Sequence, residues 1–241
     1  MSQPLENAER ERLEGQYAEI ATLAGGLAHE IRNPLSTIGM NLELLAEELS
    51  SDDSPRTSRM HGKIQTVQRE CERLEDILNA FLQFARAGEL DLVESDLNQL
   101  VSDFIGFYRP QMSDRGIEVS PHLATDLPAV LIDWSLMRQV LDNLGRNAWQ
   151  AMPDGGLLEV QTCVRDGQVN LDLIDTGMGM DETTRSRMFQ AFFSTRAGGS
   201  GLGLPTVRKI VEAHRGTIRC DSELGRGTRF TIVLPVAETR T

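Results

Sequence analysis

Cysteine is scarce in this chain. Only Cys71, Cys163 and Cys220 occur in 241 residues, far apart and in dissimilar contexts. With no CxxC pair and no Cys/His cluster, a zinc site is not expected, and reduced, mostly packed thiols are. Basic residues are also outnumbered, 24 Lys plus Arg against 36 Asp plus Glu, for a net charge of −12 and a pI near 4.8. Binding to nucleic acid or an anionic membrane needs clustered cations, so neither is expected as the main partner. No apolar run approaches the ~20 residues that span a bilayer. The N-terminus MSQPLENAERERLEG has no apolar core and does not read as a signal peptide. A cytoplasmic location is therefore expected. With 40% apolar and 25% charged residues, intrinsic disorder of the whole chain is excluded, and the length suits one large domain or two modest ones.

What is present falls into two regions. To about Ala87 the chain reads as long helices. Ile20, Leu23, Leu27, Ile31, Leu35, Ile38, Leu42, Leu45 and Leu49 recur at spacings of three and four. Ile64, Val67, Cys71, Leu74, Leu78, Phe81 and Ala85 do the same, so both runs are coiled-coil-like seams. Ser50–Pro55 is a polar turn between them, with Ser54 suited to cap the second helix and Pro55 to its first position. An antiparallel hairpin results, and pairing two copies into a four-helix bundle would bury the remaining apolar surface. Before Ile20 the seam weakens to Leu13 and Tyr17. That stretch reads equally as a frayed helix start or as a coiled-coil lead-in.

From about Gly88 helices mix with hairpin-linked strands. Helices are expected over Leu97–Met112, Trp134–Met152 and Pro205–His214. Strands are expected over Gly116–Leu123, Leu157–Arg165, Val169–Asp175, Thr217–Asp221 and Thr228–Leu234. This is an α+β layer, a mixed sheet with helices on one face.

His29 lies in the run His29-Glu30-Ile31-Arg32-Asn33-Pro34. It is two residues from the seam positions Leu27 and Ile31, hence about 200° around the helix from each, and should face solvent. Asn33 follows one turn along on the same face. Pro34 removes a helical hydrogen bond and should kink the helix there. An exposed neutral imidazole can act as a nucleophile, and Glu30 could take the proton from its second nitrogen.

Four further runs suit a nucleotide. Asn143 and Asn147 are four apart on one helix face, and their amide oxygens suit Mg²⁺ shared with phosphates. Asp175 ends an apolar strand, where it could accept a bond from an exocyclic amine. Gly177 and Gly179 beside it let backbone approach a flat ring. Phe189–Phe193 precedes Ser194, Thr195 and Arg196. Gly198–Gly203 then offers successive amides at the start of a helix.

Together these runs resemble a two-component sensor histidine kinase with a HisKA dimerisation and phosphoacceptor domain, over about Ala18 to Val236. His29–Pro34 is similar to the H-box, Asn143–Ala148 to the N-box, Asp175–Gly179 to G1, Phe189–Phe193 to the F-box and Gly199–Leu204 to G2. Ile210–Gly216 and Gly225–Phe230 match the family's closing pattern. Asn147–Gly156 is similar to the NtrB-like subgroup. The resemblance implies a helical hairpin, dimerised as a four-helix bundle, followed by an α+β Bergerat-type ATP-binding sandwich. The implied division is a lead-in over 1–17, a dimerisation and phosphotransfer domain over 18–87 and a catalytic domain over 88–241. It implies His29 as phosphoacceptor, Glu30 as its base and Asn33 as the group that positions a water for dephosphorylating a response regulator. Asn147 would ligate Mg²⁺ with Asn143 near the phosphates, and Asp175 would read adenine. Gly177, Gly179, Phe192, Thr195, Arg196, Gly199, Ser200, Gly201, Leu202 and Gly203 would complete the ATP site and its lid.

The chain departs from the family pattern at Arg196 for Lys, Ser200 for Thr, Gly145 for an apolar residue and Pro205 for a small one. None removes a catalytic group, but they bear on lid geometry and nucleotide affinity, since Arg and Lys are not equivalent towards phosphate. The implied partners are a second copy of the chain and a response-regulator receiver domain, docking near Thr37, Met40 and Asn41. With 28 residues before His29, an input domain has no room. The signal is expected from a separate sensor protein, or the chain is an excised core. Two other readings share the nucleotide runs. A Bergerat-type ATPase of another kind has no use for the His29 run, and a non-catalytic scaffold expects no ATP binding.

Overall fold

A computed structural model describes Leu27, residues 31–45, Glu47 and residues 56–86, 90–196 and 199–237. The lead-in, His29, Glu30 and the turn around Ser54 lie outside the described residues. Two compact units emerge: the helices up to Leu82 with Arg196–Ser200, and Gln83–Thr195 with Gly201 onward.

The first unit contains helical residues 31–45 (α1) and helix α2 (Arg56–Arg86) as far as Leu82. Pro34 lies inside α1 and is buried. The seam of α2 is split in two. Val67, Leu74 and Phe81 are half-buried, and Ile77 beside them is 2% exposed. The other expected seam positions, Ile64, Cys71, Leu78 and Ala85, are exposed. In α1, Leu35 and Leu42 are likewise exposed while Ile31, Ile38 and Leu45 are half-buried. A 3-4 repeat marks an apolar stripe without saying which edge of it the chain itself covers. Cys71 is the exception among the mostly packed thiols expected, because it stands in the bare stripe, whereas Cys163 and Cys220 are half-buried. Cys220 does pack on a core, and burial with the neighbouring Asp221 charge pushes its thiol up to about 12.

The second unit is a two-layer sandwich. Its main sheet has the order β2 (Ile117–His122), β4 (Gly156–Arg165), β5 (Gln168–Asp175), β7 (Gly227–Pro235) and β6 (Thr217–Glu223). Only β2 and β4 are parallel. Helices α3 (Leu97–Ser113), α4 (Trp134–Ala151) and α6 (Gly203–Ala213) cover one face. Strand alternation turns Leu158, Val160, Leu171, Leu173, Phe230 and Ile232 into that core. On the other face Asp172 is 1% exposed, held by Thr231 and by Arg229 at 3.3 Å. Two elements were not expected: a small sheet of β1 (Val93–Ser95) and β3 (Val130–Ile132), and the short helix α5 (Glu182–Arg187). Each is too short to carry a period. Among the described residues no helix is long and apolar enough to cross a membrane.

Asp96 and Asp133 cap α3 and α4 through their carboxylates. Mid-way along α4, Gly145 leaves a notch filled by Phe104 of α3. A Cβ at Gly145 would lie 2.5 Å from that fully buried ring. Overpacking costs about 1–3 kcal/mol and alanine regains only about 1 in helix propensity. Gly145→Ala is therefore expected to lower stability by about 1 kcal/mol in urea unfolding, although alanine is the better helix former.

Candidate nucleotide site

Strand β5 delivers Asp175 at its C-terminal end, where it is buried. Its Oδ1 accepts the Gly177 N–H at 2.9 Å, which turns the chain sharply out of the sheet. Gly177 then passes against the last turn of α4. A Cβ there would lie 2.7 Å from Ala151 O, and the next amide, Met178 N–H, donates to that oxygen at 3.0 Å. Gly179 backs onto Glu223 O, and Met178 O accepts from Gly225 N–H at 2.7 Å. The loop is thus anchored to both α4 and the β6–β7 turn.

On α4, the Asn143 amide Nδ2 donates to Gln139 O at 3.0 Å. Its Oδ1 points at the start of α6, 3.2 Å from where a Gly203 Cβ would be. Asn147 is half-buried one turn further on. Helix α6 begins after Leu202, which is fully buried and offers its first amides no side-chain cap.

The segment after α5 is pinned to the same end. Phe192 adopts a left-handed backbone, φ +62°, and its N–H donates to Gly201 O at 3.0 Å. Gly201 has φ +66°, with no room for a Cβ against Phe192 C and Phe193 N. The Arg187 guanidinium lies 4.2 Å over the Phe193 ring.

The structure brings together Asp175 with Gly177, Asn143 with Gly203, and Phe192 with Gly201. Thr195 is exposed in the sheet unit, whereas Arg196, Gly199 and Ser200 belong by their contacts to the helical unit. Asn33 is exposed on α1, and His29 and Glu30 lie outside the described residues. A shallow groove of about 350 Å³ between α3 and β2 is lined by none of these residues.

Among the described residues no cluster of three or more His, Cys, Asp or Glu could hold a metal by itself. The half-buried Asn147 amide is a donor suited to Mg²⁺ that brings phosphate and water as its other ligands. Sequence reasoning missed Ala151 and Asp133. Asp133 could have been found as an Asp directly before a helical run. Ala151 O gave no signal, because a backbone carbonyl has none.

Residues 132–238 match the family model for the histidine kinase-, DNA gyrase B- and HSP90-like ATPases. Residues 19–90 match the His Kinase A (phospho-acceptor) domain. Over 218 residues the chain is 34% identical to the sensor histidine kinase ZraS of Escherichia coli (strain K12), covering 90% of this chain and 46% of that protein. It is 32% identical over 231 residues to sporulation kinase E of Bacillus subtilis (strain 168), covering 95% of this chain and 30% of that one. The chain therefore spans less than half the length of these relatives. Among solved structures, full-length ShkA in complex with AMPPNP aligns with a TM-score of 0.64 at 29% identity, covering 91% of this chain and 46% of that one. ThkA in complex with the response regulator protein TrrA aligns at 0.76 with 24% identity, covering 100% and 69%. The chain belongs to the two-component histidine kinases, as a phosphoacceptor module joined to an ATPase-type module.

A side chain forced into the Gly201 conformation costs about 1–2 kcal/mol, before any contact with Phe192. Gly201→Ala is expected to speed amide exchange across Phe189–Thr195 by about tenfold, read by hydrogen-exchange mass spectrometry.

Proposed function

We propose that this chain is an ATP-dependent protein-histidine kinase. It transfers the γ-phosphoryl group of ATP to His29 and then to an Asp of a response-regulator receiver domain. The observation that carries the reading is that residues of the separated runs touch in pairs: Asn143 faces Gly203, Gly177 passes against Ala151 and the Phe192 N–H donates to Gly201 O. A buried carboxylate closes β5, two asparagines line α4, and a glycine-bounded loop opens α6. The family match and the AMPPNP bound in ShkA support ATP as the nucleotide.

Asp175 would accept from the adenine amine, with Gly177 and Gly179 giving the ring a flat approach. Asn143 and the first amides of α6 would face the phosphates, with Thr195, Arg196, Gly199, Ser200 and Leu202 as lid residues. Asn147 would hold Mg²⁺, which when bound neutralises charge on the phosphates. An imidazole nitrogen of His29 would attack the γ-phosphorus as the bond to ADP breaks, and Glu30 would take the proton from the other ring nitrogen. Asn33, which is exposed and lies four residues after His29 in the sequence, would position water for dephosphorylating the regulator.

A homodimer completes the helical unit. Leu35, Leu42, Ile64 and Leu78 are all more than 40% exposed on helices that follow heptad spacing, and a second copy would cover them as a four-helix bundle. The receiver domain would dock near Met40, which is 63% exposed. Beside it, Thr37 and Asn41 are half-buried, and Asn41 Nδ2 donates to Thr37 O at 2.8 Å. The stimulus would come from a separate sensor or from further domains of the same protein.

Incubation with γ-labelled ATP is expected to give an acid-labile, base-stable phosphoprotein that His29→Gln abolishes. Label on Ser or Thr would sink the reading. Leu35→Glu combined with Leu78→Glu is expected to give a monomer by light scattering while far-UV circular dichroism stays helical.

A further inference from the structure

His214 has no part in the functions above, yet it is 2% exposed and polar. It ends α6, and the following Arg215 turns left-handed at φ +57° so that Gly216 N–H closes onto Val211 O at 2.9 Å. The ring is bonded on both sides. Asp133 N–H donates to Nε2 at 2.9 Å. Nε2 must therefore be the bare nitrogen, and Nδ1 carries the hydrogen that it gives to Ile210 O at 2.7 Å. One tautomer alone satisfies both bonds.

Asp133 is the N-cap of α4. Its carboxylate accepts from Leu136 N–H, Ser135 Oγ and Asp91 N–H at 2.7–3.0 Å. Burial pushes this carboxyl up, but those bonds outweigh it and hold it below the ordinary aspartate value. Backbone and side chain of Asp133 thus join the end of α6, the start of α4 and the chain entering β1.

Helices α4 and α6 run antiparallel, with Asp133 against His214 at one end and Asn143 against Gly203 at the other. From Asp133 to Asn143 is ten residues, about 15 Å of helix, and from Gly203 to His214 is eleven, about 16 Å. The two lengths match, so whatever fixes the register at His214 fixes it at Gly203.

We propose that His214 is a positioning residue for nucleotide binding. Its Nε2 bond to Asp133 sets how far α6 slides along α4, and hence where the first amides of α6 stand relative to Asn143. The proposal rests on the nucleotide reading of that end of the sandwich.

The test is the affinity of the full chain for trinitrophenyl-ATP in three variants. His214→Leu removes both bonds. Glutamine can place an oxygen near Nε2, whereas asparagine keeps a donor near Nδ1 but falls short of Asp133. His214→Leu and His214→Asn are expected to bind about tenfold more weakly, and His214→Gln within about threefold of wild type. In wild type, long-range ¹⁵N spectra of the imidazole should show the Nδ1–H tautomer. Unchanged affinity in His214→Leu overturns the proposal, as do equal losses in His214→Gln and His214→Asn or an Nε2–H tautomer. If His214→Leu does not fold, the Gln–Asn comparison decides. No uptake of the nucleotide by wild type sinks the underlying reading, and this proposal with it.

Discussion

Helix α4 is held at three points, and the candidate site depends on all of them. At its start, Asp133 caps it and takes the α6 terminus through His214. In its middle, Phe104 fills the notch at Gly145. At its end, Ala151 O takes the Met178 amide from the loop that leaves β5. Asn143 and Asn147 lie between these anchors. Their placement relative to Asp175 and to the start of α6 is inherited from them.

These anchors differ in kind. The Phe104–Gly145 contact is shape complementarity inside a close-packed core, where a single methyl is felt. The other two are hydrogen bonds to backbone groups, and the one between Asp133 and His214 is buried, where leaving it unmade costs more than its net worth when made. A helix fixed by both cannot drift without leaving a void or an orphaned polar group.

Much of the sandwich was legible in the sequence. Strands β4, β5 and β7 alternate apolar and polar residues, and their turns carry glycine. Gly177 and Gly201 were visible as glycines but not as close approaches. Gly145 stood out only as a departure from the family's apolar position, because only the facing ring gives it a purpose. Strands β1 and β3 and helix α5 escaped notice, since three to six residues cannot display a period. In α2 the repeat was legible, but its division into a covered edge at Ile77 and a bare edge at Ile64 and Leu78 was not.

The sequence by itself determined the class of each longer element, the order of the candidate chemical groups along the chain and the family to which they belong. Local periodicity and residue type suffice for that, because each depends only on neighbours in the chain. Only the tertiary structure decided which groups meet. Asp133 and His214 are 81 residues apart, Phe104 and Gly145 are 41 apart, and their contacts exist because three helices and a sheet close on one core. No local pattern encodes such a meeting, since its energy comes from packing and buried hydrogen bonds formed across the fold.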